Sequence, residues 1–213
     1  MEIKQIQAGK PQEIDFNGKA VSTAIKKKRI YGAVMVEEHG LESDEQADKE
    51  NHGGADKALC AYPYEHYAFW DEKLQRGLPD AAFGENLTLS GLTEQEVHIG
   101  DQFAAGEALL EVTQPRQPCY KLAAKYNMNE LPAIVKEEGR TGWYFRVLQP
   151  GTIEEGMELQ RVLHRKEAST IEHVNHLLYN RHADPEEVKA LSEDDRLAAS
   201  CRRDLLKRWK ERN

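Results

Sequence analysis

The sequence predicts a mixed α/β chain: a closed, barrel-like β-sheet with peripheral helices over residues 1–163, then a small three-helix unit over residues 164–213. Three observations carry this. Short β-prone runs recur between Gly, Pro and Asp turn signals along the first three quarters of the chain, a spacing that suits a closed sheet. Three helix-start patterns then follow one another between Ser169 and Asp195. The charge balance changes at the same place, since residues 1–163 hold 18 Lys and Arg against 27 Asp and Glu, and residues 164–213 hold 11 against 10.

Ile3 to Ala8 reads as a first strand, ended by Gly9-Lys10-Pro11, and Val21 to Ile25 as a second extended piece. Four cations follow, Lys26-Lys27-Lys28-Arg29. Such a run is ordinarily a solvated face, yet in an acidic chain it also offers a local site for an anion. Ile30 to Val36 reads as one core strand. Glu37 to Ala55 is polar and reads as a long loop, a kind that often carries function. It holds oxygen and imidazole donors in Asp44, Asp48, Glu50 and His52. The pair Gly53-Gly54 lets the backbone approach a ligand or take a positive φ. His52 and Lys57 frame that pair, and a plain turn with a surface histidine is the alternative.

Asp56 to Tyr62 reads as a strand, and Pro63 as the start of a helix on which Tyr67, Trp70 and Leu74 share a core-facing side. Cys60 reads as a small buried residue. Glu85 and Asn86, ahead of the alternating Leu87 and Leu89, either cap a loop or face a pocket. Gly100-Asp101 is a turn, and Ala108 to Thr113 a strand. Leu122 to Tyr126 and Leu131 to Glu138 read as helices, the second opened by Pro132. Trp143 to Leu148 is strongly β-prone. Arg140 and Arg146 flank it, as planar anion binders or as ordinary salt-bridge partners. Gly151 to Leu163 reads as a final strand pair. In the tail, Ser169 with Glu172 reads as a capping box. Asp184-Pro185-Glu186-Glu187 reads as a cap, an N1 proline and early acids, and Ser192-Glu193-Asp194-Asp195 as a third start. Ile171, Val174, Leu177 and Leu178 share one face. Three short helices bury little surface by themselves, so they are expected to pack on one another, on the barrel or in a homodimer.

Bulk properties narrow the function. With 39% hydrophobic and 31% charged residues, the chain is polar but far from a disordered composition. No apolar run approaches the roughly 18 residues of a membrane span, and Met1-Glu2-Ile3-Lys4 lacks the apolar centre of a signal peptide. No membrane role is expected, and the expected location is the cytoplasm. A net charge of −8 argues against nucleic-acid binding. Cys60, Cys119 and Cys201 are few, odd in number and far apart. That pattern argues against a disulfide framework, a structural zinc site or an iron–sulfur cluster.

The stretch with the most chemistry is Gln114-Pro115-Arg116-Gln117-Pro118-Cys119-Tyr120-Lys121. Two prolines after a strand are expected to break the ladder, because proline donates no backbone hydrogen bond, and to stiffen the loop that holds Cys119. Arg116 and Lys121 flank the thiol, and nearby cations favour the thiolate, the form that binds metals and attacks electrophiles. Two readings of Cys119 stand on these residues: a buried structural thiol, or a reactive or metal-binding one.

Several motifs in order resemble the MOSC domain family. They are His52-Gly53-Gly54-Ala55-Asp56-Lys57-Ala58, Tyr62-Pro63, Phe83-Gly84-Glu85-Asn86-Leu87, Gly100-Asp101, and Gln114 to Leu122, with Gly139-Arg140-Thr141-Gly142-Trp143-Tyr144 beyond them. Linked motifs in order are far more specific than any one alone. The helical tail resembles the extension of the bacterial YiiM-like branch. The resemblance implies a MOSC β-barrel, a bound molybdenum cofactor (molybdopterin) and Cys119 as thiolate ligand to the metal. It implies cations and backbone amides around the cofactor phosphate, for which Arg116, Lys57, Lys121, Arg140 and Arg146 are candidates, with His52, Gly53 and Gly54 beside them and Asn86 toward the pterin. The Lys26 to Arg29 run is a weaker candidate. The implied reaction is reduction of N-hydroxylated compounds, such as hydroxylaminopurines and amidoximes, with electrons from an external donor protein. Two other functions are compatible with a lone, cation-flanked cysteine: a sulfur carrier holding a persulfide on Cys119, and a cofactor-storage protein without turnover.

Overall fold

The computed structural model describes residues 1–47 and 53–212, so the expectations placed on Asp48, Glu50 and His52 lie outside the described residues. The fold is mixed α/β, with a curled eight-stranded half-barrel sheet. In chain order the strands are β1 (Glu2–Ala8), β2 (Gln12–Phe16), β3 (Lys19–Thr23), β4 (Lys28–Ile30), β5 (Val34–Glu37), β6 (Gly40–Leu41), β7 (Leu59–Pro63), β8 (Leu87–Ser90), β9 (Gln102–Ala105), β10 (Ala108–Pro115), β11 (Trp143–Gln149), β12 (Gly151–Ile153) and β13 (Gln160–Leu163). The helices are α1 (His66–Leu74), α2 (Tyr120–Tyr126), α3 (Leu131–Glu138), α4 (Ile171–Tyr179), α5 (Pro185–Ser192) and α6 (Ala199–Lys210).

The large sheet runs β13-β9-β10-β11-β7-β8-β1-β4. Its curl brings one end back toward β1, because Ile3 N donates to Met157 O (2.9 Å) and Leu159 N to Met1 O (2.8 Å). β7 and β8 are its parallel pair, with Ala61 opposite Leu87, and α1 lies in their connection, as a parallel pair requires a crossover. All five residues of β7 are buried, so the middle of the sheet is covered on both faces.

Four expected elements need correction. β2 and β3 form a hairpin turned by Asn17-Gly18, both at positive φ (55° and 74°), the combination a tight type I′ turn demands; only part of its second strand had been expected. Ile30 to Val36 is not one strand. β4 joins the large sheet and β5 a separate three-stranded one, with Gly32 at φ 80° in the break between them. β12 and β13 are not a pair, since β12 lies on β5 and β13 on β9. The ladder does not end at the first proline either. Pro115 lies opposite Trp143, and the bonding continues from Arg116 N to Gly142 O (3.0 Å). A proline in a ladder forfeits only its own N–H.

In the tail, α4 is capped one residue later than expected, by Thr170, whose hydroxyl accepts from His173 N. Asp184 caps α5 as expected. Ser192 is the last residue of α5 and opens nothing, for α6 begins at Ala199. Ile171, Val174 and Leu177 of α4 and Cys201 and Leu205 of α6 share one core with Phe103, Leu110 and Val112 of the sheet. A second core holds α1, α2 and α3 around Tyr62, Trp70 and Phe83, where Trp70 is fully buried as its helical spacing predicted. Among the described residues, no helix is long and apolar enough to cross a membrane.

Candidate functional site

The ends of β3, β7, β10 and β11 converge on a half-open cavity. β10 runs out into Arg116, and the loop that follows places Cys119 at the N-cap of α2, half-buried. Lys121 comes from the first turn of α2 and is buried. Lys57 comes from the short 3-10 turn Ala55–Lys57 that Gly54 starts at φ 93°. Arg116, Cys119, Lys121, Lys57 and Asn86 all line the cavity.

Arg116 is the unusual member. It is only 5% exposed. One guanidinium nitrogen, Nη2, donates to Phe83 O (2.8 Å), while the other, Nη1, is buried without a hydrogen-bond partner. Burial works against its charge, but the acids around it, Cys60, Cys119, Tyr144 and Tyr62, outweigh that and raise its pKa. The cation is therefore permanent, and among the described residues no carboxylate pairs with it. A buried charge without a counter-ion is expensive, and so is a buried N–H without an acceptor. A cavity wall of this kind is built for an anion. Lys57 adds to it, although burial lowers its pKa.

The floor is held by a polar frame. Asp44 forms a buried ion pair with Lys27 and accepts from Gly9 N (2.8 Å) and Asn86 Nδ2 (2.9 Å). Asn86 also accepts from Cys60 N through Oδ1 (3.1 Å). Its side chain is thus largely engaged by protein groups rather than free for a ligand. Cys60 and Tyr144 line the cavity as well, and burial pushes the Cys60 thiol up to about 12. Sequence reasoning did not place Cys60, Tyr144, Lys27 or Asp44 together. The available signal was that Lys27 sits in a cationic run and Asp44 in an acidic loop.

Other candidates lie elsewhere. Arg140 donates to His66 Nδ1 (2.9 Å) and lies over the Phe69 ring at 4.0 Å, and it does not line the cavity. His66 in turn meets Glu94, whose other oxygen accepts from Gly142 N (2.7 Å). Gly142 has φ 70°, and a Cβ there would stand 2.2 Å from Ala61 O, so this corner admits only glycine. Arg146 is paired with Asp56 (3.0 Å) and Glu111 (3.4 Å). Gly53 and Gly54 do not line the cavity either. Arg29 is paired with Glu155, so the cationic run is divided between a buried pair at Lys27 and a half-buried pair at Arg29. Away from the cavity, ligand atoms of His98, Asp101 and His164 lie within 4.8 Å of one another. A guanidinium already occupies the place of an ion's charge there: Arg161 Nη1 is 3.0 Å from His164 Nδ1 and Arg161 Nε 3.6 Å from Asp101.

The family model for the MOSC domain matches residues 48–160, the span that delivers Lys57, Asn86, Arg116, Cys119 and Lys121. YflK of Bacillus subtilis is 41% identical, over 97% of this chain and 93% of its own length. A Gibberella moniliformis protein named Reductase is 34% identical over 72% of this chain, and the match covers 28% of that longer protein. The crystal structure of YiiM from Geobacillus stearothermophilus superposes with a TM-score of 0.82 at 39% identity, covering 98% of both chains. With the family model matching residues 48–160 and these likenesses running over nearly the whole length, the chain belongs to the MOSC domain family, in its YiiM-like branch.

Proposed function

We propose that the protein is a molybdenum-cofactor-dependent oxidoreductase that reduces N-hydroxylated compounds of the hydroxylaminopurine or amidoxime type, with Cys119 as thiolate ligand to the metal. The observation that carries this is the buried Arg116 guanidinium, without an anionic partner among the described residues, on the same cavity as Cys119. A soft sulfur donor beside an unanswered buried cation fits a ligand that presents both a thiophilic metal and a phosphate. MOSC domains in general are associated with the molybdenum cofactor, and one relative carries the name Reductase.

When bound, the cofactor would supply redox chemistry suited to removing oxygen from the substrate. The chain's residues do the holding: Arg116, Lys57 and Lys121 face the anionic part, and the first turn of α2 fixes Cys119. The Lys27-Asp44-Asn86 frame keeps the cavity floor rigid behind them. In the overall reaction the N–O bond breaks and the oxygen leaves as water, with two electrons and two protons consumed. The cysteine pattern provides no iron–sulfur cluster, so the electrons come from an external donor protein.

The test is metal and pterin analysis of protein made in a molybdenum-replete host, wild type beside Cys119→Ala. Molybdenum near one per chain in the wild type, lost in a variant that keeps its fold, is the expected result. No molybdenum in either protein would move the assignment to sulfur transfer, checked by assaying persulfide on Cys119.

A further inference from the structure

α6 carries an unusual charge for this chain. Residues 199–212 hold six Lys and Arg against two Asp and Glu, in a protein whose net charge is −8. The helix is anchored by its buried side, Cys201 and Leu205, and by Arg208, which donates to Leu178 O (2.8 Å) and to Asn180 O at the end of α4. Another side is exposed. Arg203, Leu206, Lys207 and Lys210 stand there at positions i, i+3, i+4 and i+7, and Leu206 is 38% exposed. The two acids lie beside this stripe. Asp204 accepts from Gln117 Nε2 (3.0 Å) in the cysteine loop. Glu211 meets Lys207 at 3.9 Å across exposed side chains, a pair that contributes little.

The stripe borders the site. The adjoining side of α6, continued by Glu211, lines an open cleft whose other walls include Lys136 and Cys119. Cys119 lines the half-open cavity as well, so this one residue is a wall common to the Arg116 cavity and the helical face. Tyr120, next in the chain, is 57% exposed. Cations around a few exposed apolar side chains suit a partner that is steered in by charge.

We propose that this face docks the electron donor: an acidic protein carrying a flavin or an iron–sulfur cluster, seated on Arg203, Lys207 and Lys210 with its redox group at the mouth of the cleft beside Cys119. The inference rests on the functional reading above and deepens it. It also separates two deliveries. An oxygen atom leaves its substrate only where the substrate meets the metal, so the substrate uses the half-open cavity. An electron needs a short path rather than contact, and crosses the Cys119 sulfur. In each turnover the donor is oxidised by two electrons; with two protons they break the N–O bond, and the oxygen leaves as water. A nucleic acid or an anionic membrane also carries negative charge, but the acidic remainder of this chain repels an extended polyanion. A small acidic protein needs to cover the patch alone.

The experiment uses the full chain from a molybdenum-replete host, as wild type and as the double variant Lys207→Glu/Lys210→Glu. Both side chains are exposed, so the fold is expected to survive, as Tm will show. Arg203 is left in place because its charge reaches Lys57. The donor probe is photoreduced flavodoxin, an acidic FMN protein, and reduced methyl viologen is the small donor that needs no docking. Flavodoxin affinity is read by calorimetry at about 50 and about 200 mM NaCl, and benzamidoxime reduction is read with each donor. Wild-type affinity is expected to fall several-fold between the two salt concentrations. In the variant, Kd and KM for flavodoxin should each rise at least about tenfold, with viologen-driven kcat within about twofold and molybdenum content unchanged. Three results overturn the docking surface: a wild type that does not bind flavodoxin in low salt, a variant that binds it and takes its electrons as the wild type does, or a wild type that holds duplex DNA or anionic vesicles more tightly than flavodoxin. A wild type without molybdenum, or one that holds it and does not turn over with viologen, overturns the functional reading instead, and the calorimetry still decides the surface.

Discussion

Arg116 and the three cysteines show what burial does to single side chains. Arg116 keeps a charge inside the protein with only the Phe83 carbonyl for Nη2. Replacing an uncompensated buried charge by an apolar residue of similar length is often neutral or stabilising. Arg116→Met should therefore leave the ligand-free protein with a Tm at or above the wild-type value, while retention of molybdenum and pterin falls at least tenfold. A large loss of Tm in the ligand-free variant would show that the guanidinium is structural. The thiols separate by access. Cys201 is fully buried and Cys60 7% exposed, while Cys119 is half-buried. Iodoacetamide at pH 8 should label Cys119 in the native protein, and Cys60 and Cys201 only after unfolding; mass spectrometry of the digest decides. Burial pushes the Cys201 thiol from 9.0 up to about 12. A raised folded pKa means that its contribution is complete below pH 9 and is lost as pH rises toward 12. Between pH 8 and pH 10.5 the wild type should lose about 2 kcal/mol more stability than Cys201→Ala, measured as the difference in denaturant unfolding at the two pH values.

Helix and strand ends show why local signals were right in kind and displaced in place. Ser169 and Thr170 are both good caps, and the sequence offers no choice between them. The choice is made by the neighbouring strand segment, where Ser169 O accepts from Ile99 N (2.9 Å) and His98 bridges to Thr170. Thr170→Ala should cost about 0.5–2 kcal/mol, against little for Ser169→Ala, in the same unfolding assay. The start of α6 is the larger displacement. Ser192 was expected to open that helix with Asp194 in its first turn, but the Asp194 carboxylate is held by the Arg196 guanidinium (2.9 and 2.8 Å), which lowers its pKa. Ala198 has no capping side chain. The free N–H of Ala199 bonds instead to Asp56 Oδ2 (3.1 Å), 143 residues away. A cap borrowed over that distance leaves no mark near the helix it serves. The Asn17-Gly18 turn is the opposite case, a local signal present in the sequence that was passed over.

At the scale of the whole molecule, the helices are tied to the sheet next to the site. Ala198 N donates to Thr113 O (3.0 Å) and Ser200 Oγ to Gln114 Oε1 (2.9 Å), so α6 is fixed to the strand that delivers Arg116. α4 and α6 also complete the core around Leu110 and Val112. A chain cut after Leu163 should expose those contacts, bind a hydrophobic dye and melt well below the full chain. A truncated chain with unchanged Tm and cofactor content would show that the helices neither stabilise the sheet nor help to hold the site.

The sequence by itself determined the classes of structure: β-rich first three quarters, helical tail, Asp184 as cap, and a proline-stiffened loop presenting Cys119. These depend on residues within a few positions of each other, through propensity, capping and the fixed φ of proline. The cationic and glycine motifs also named Arg116, Lys57, Lys121 and Asn86, which the fold does bring to one cavity. Only the tertiary structure decided which charges were spent. The guanidinium groups of Arg140 and Arg146 find partners in His66, Asp56 and Glu111, and Lys27 finds Asp44, while among the described residues Arg116 finds no anionic partner and its Nη1 no hydrogen bond. Whether a polar group is satisfied depends on atoms brought within about 3 Å by folding, and that distance bears no relation to separation along the chain.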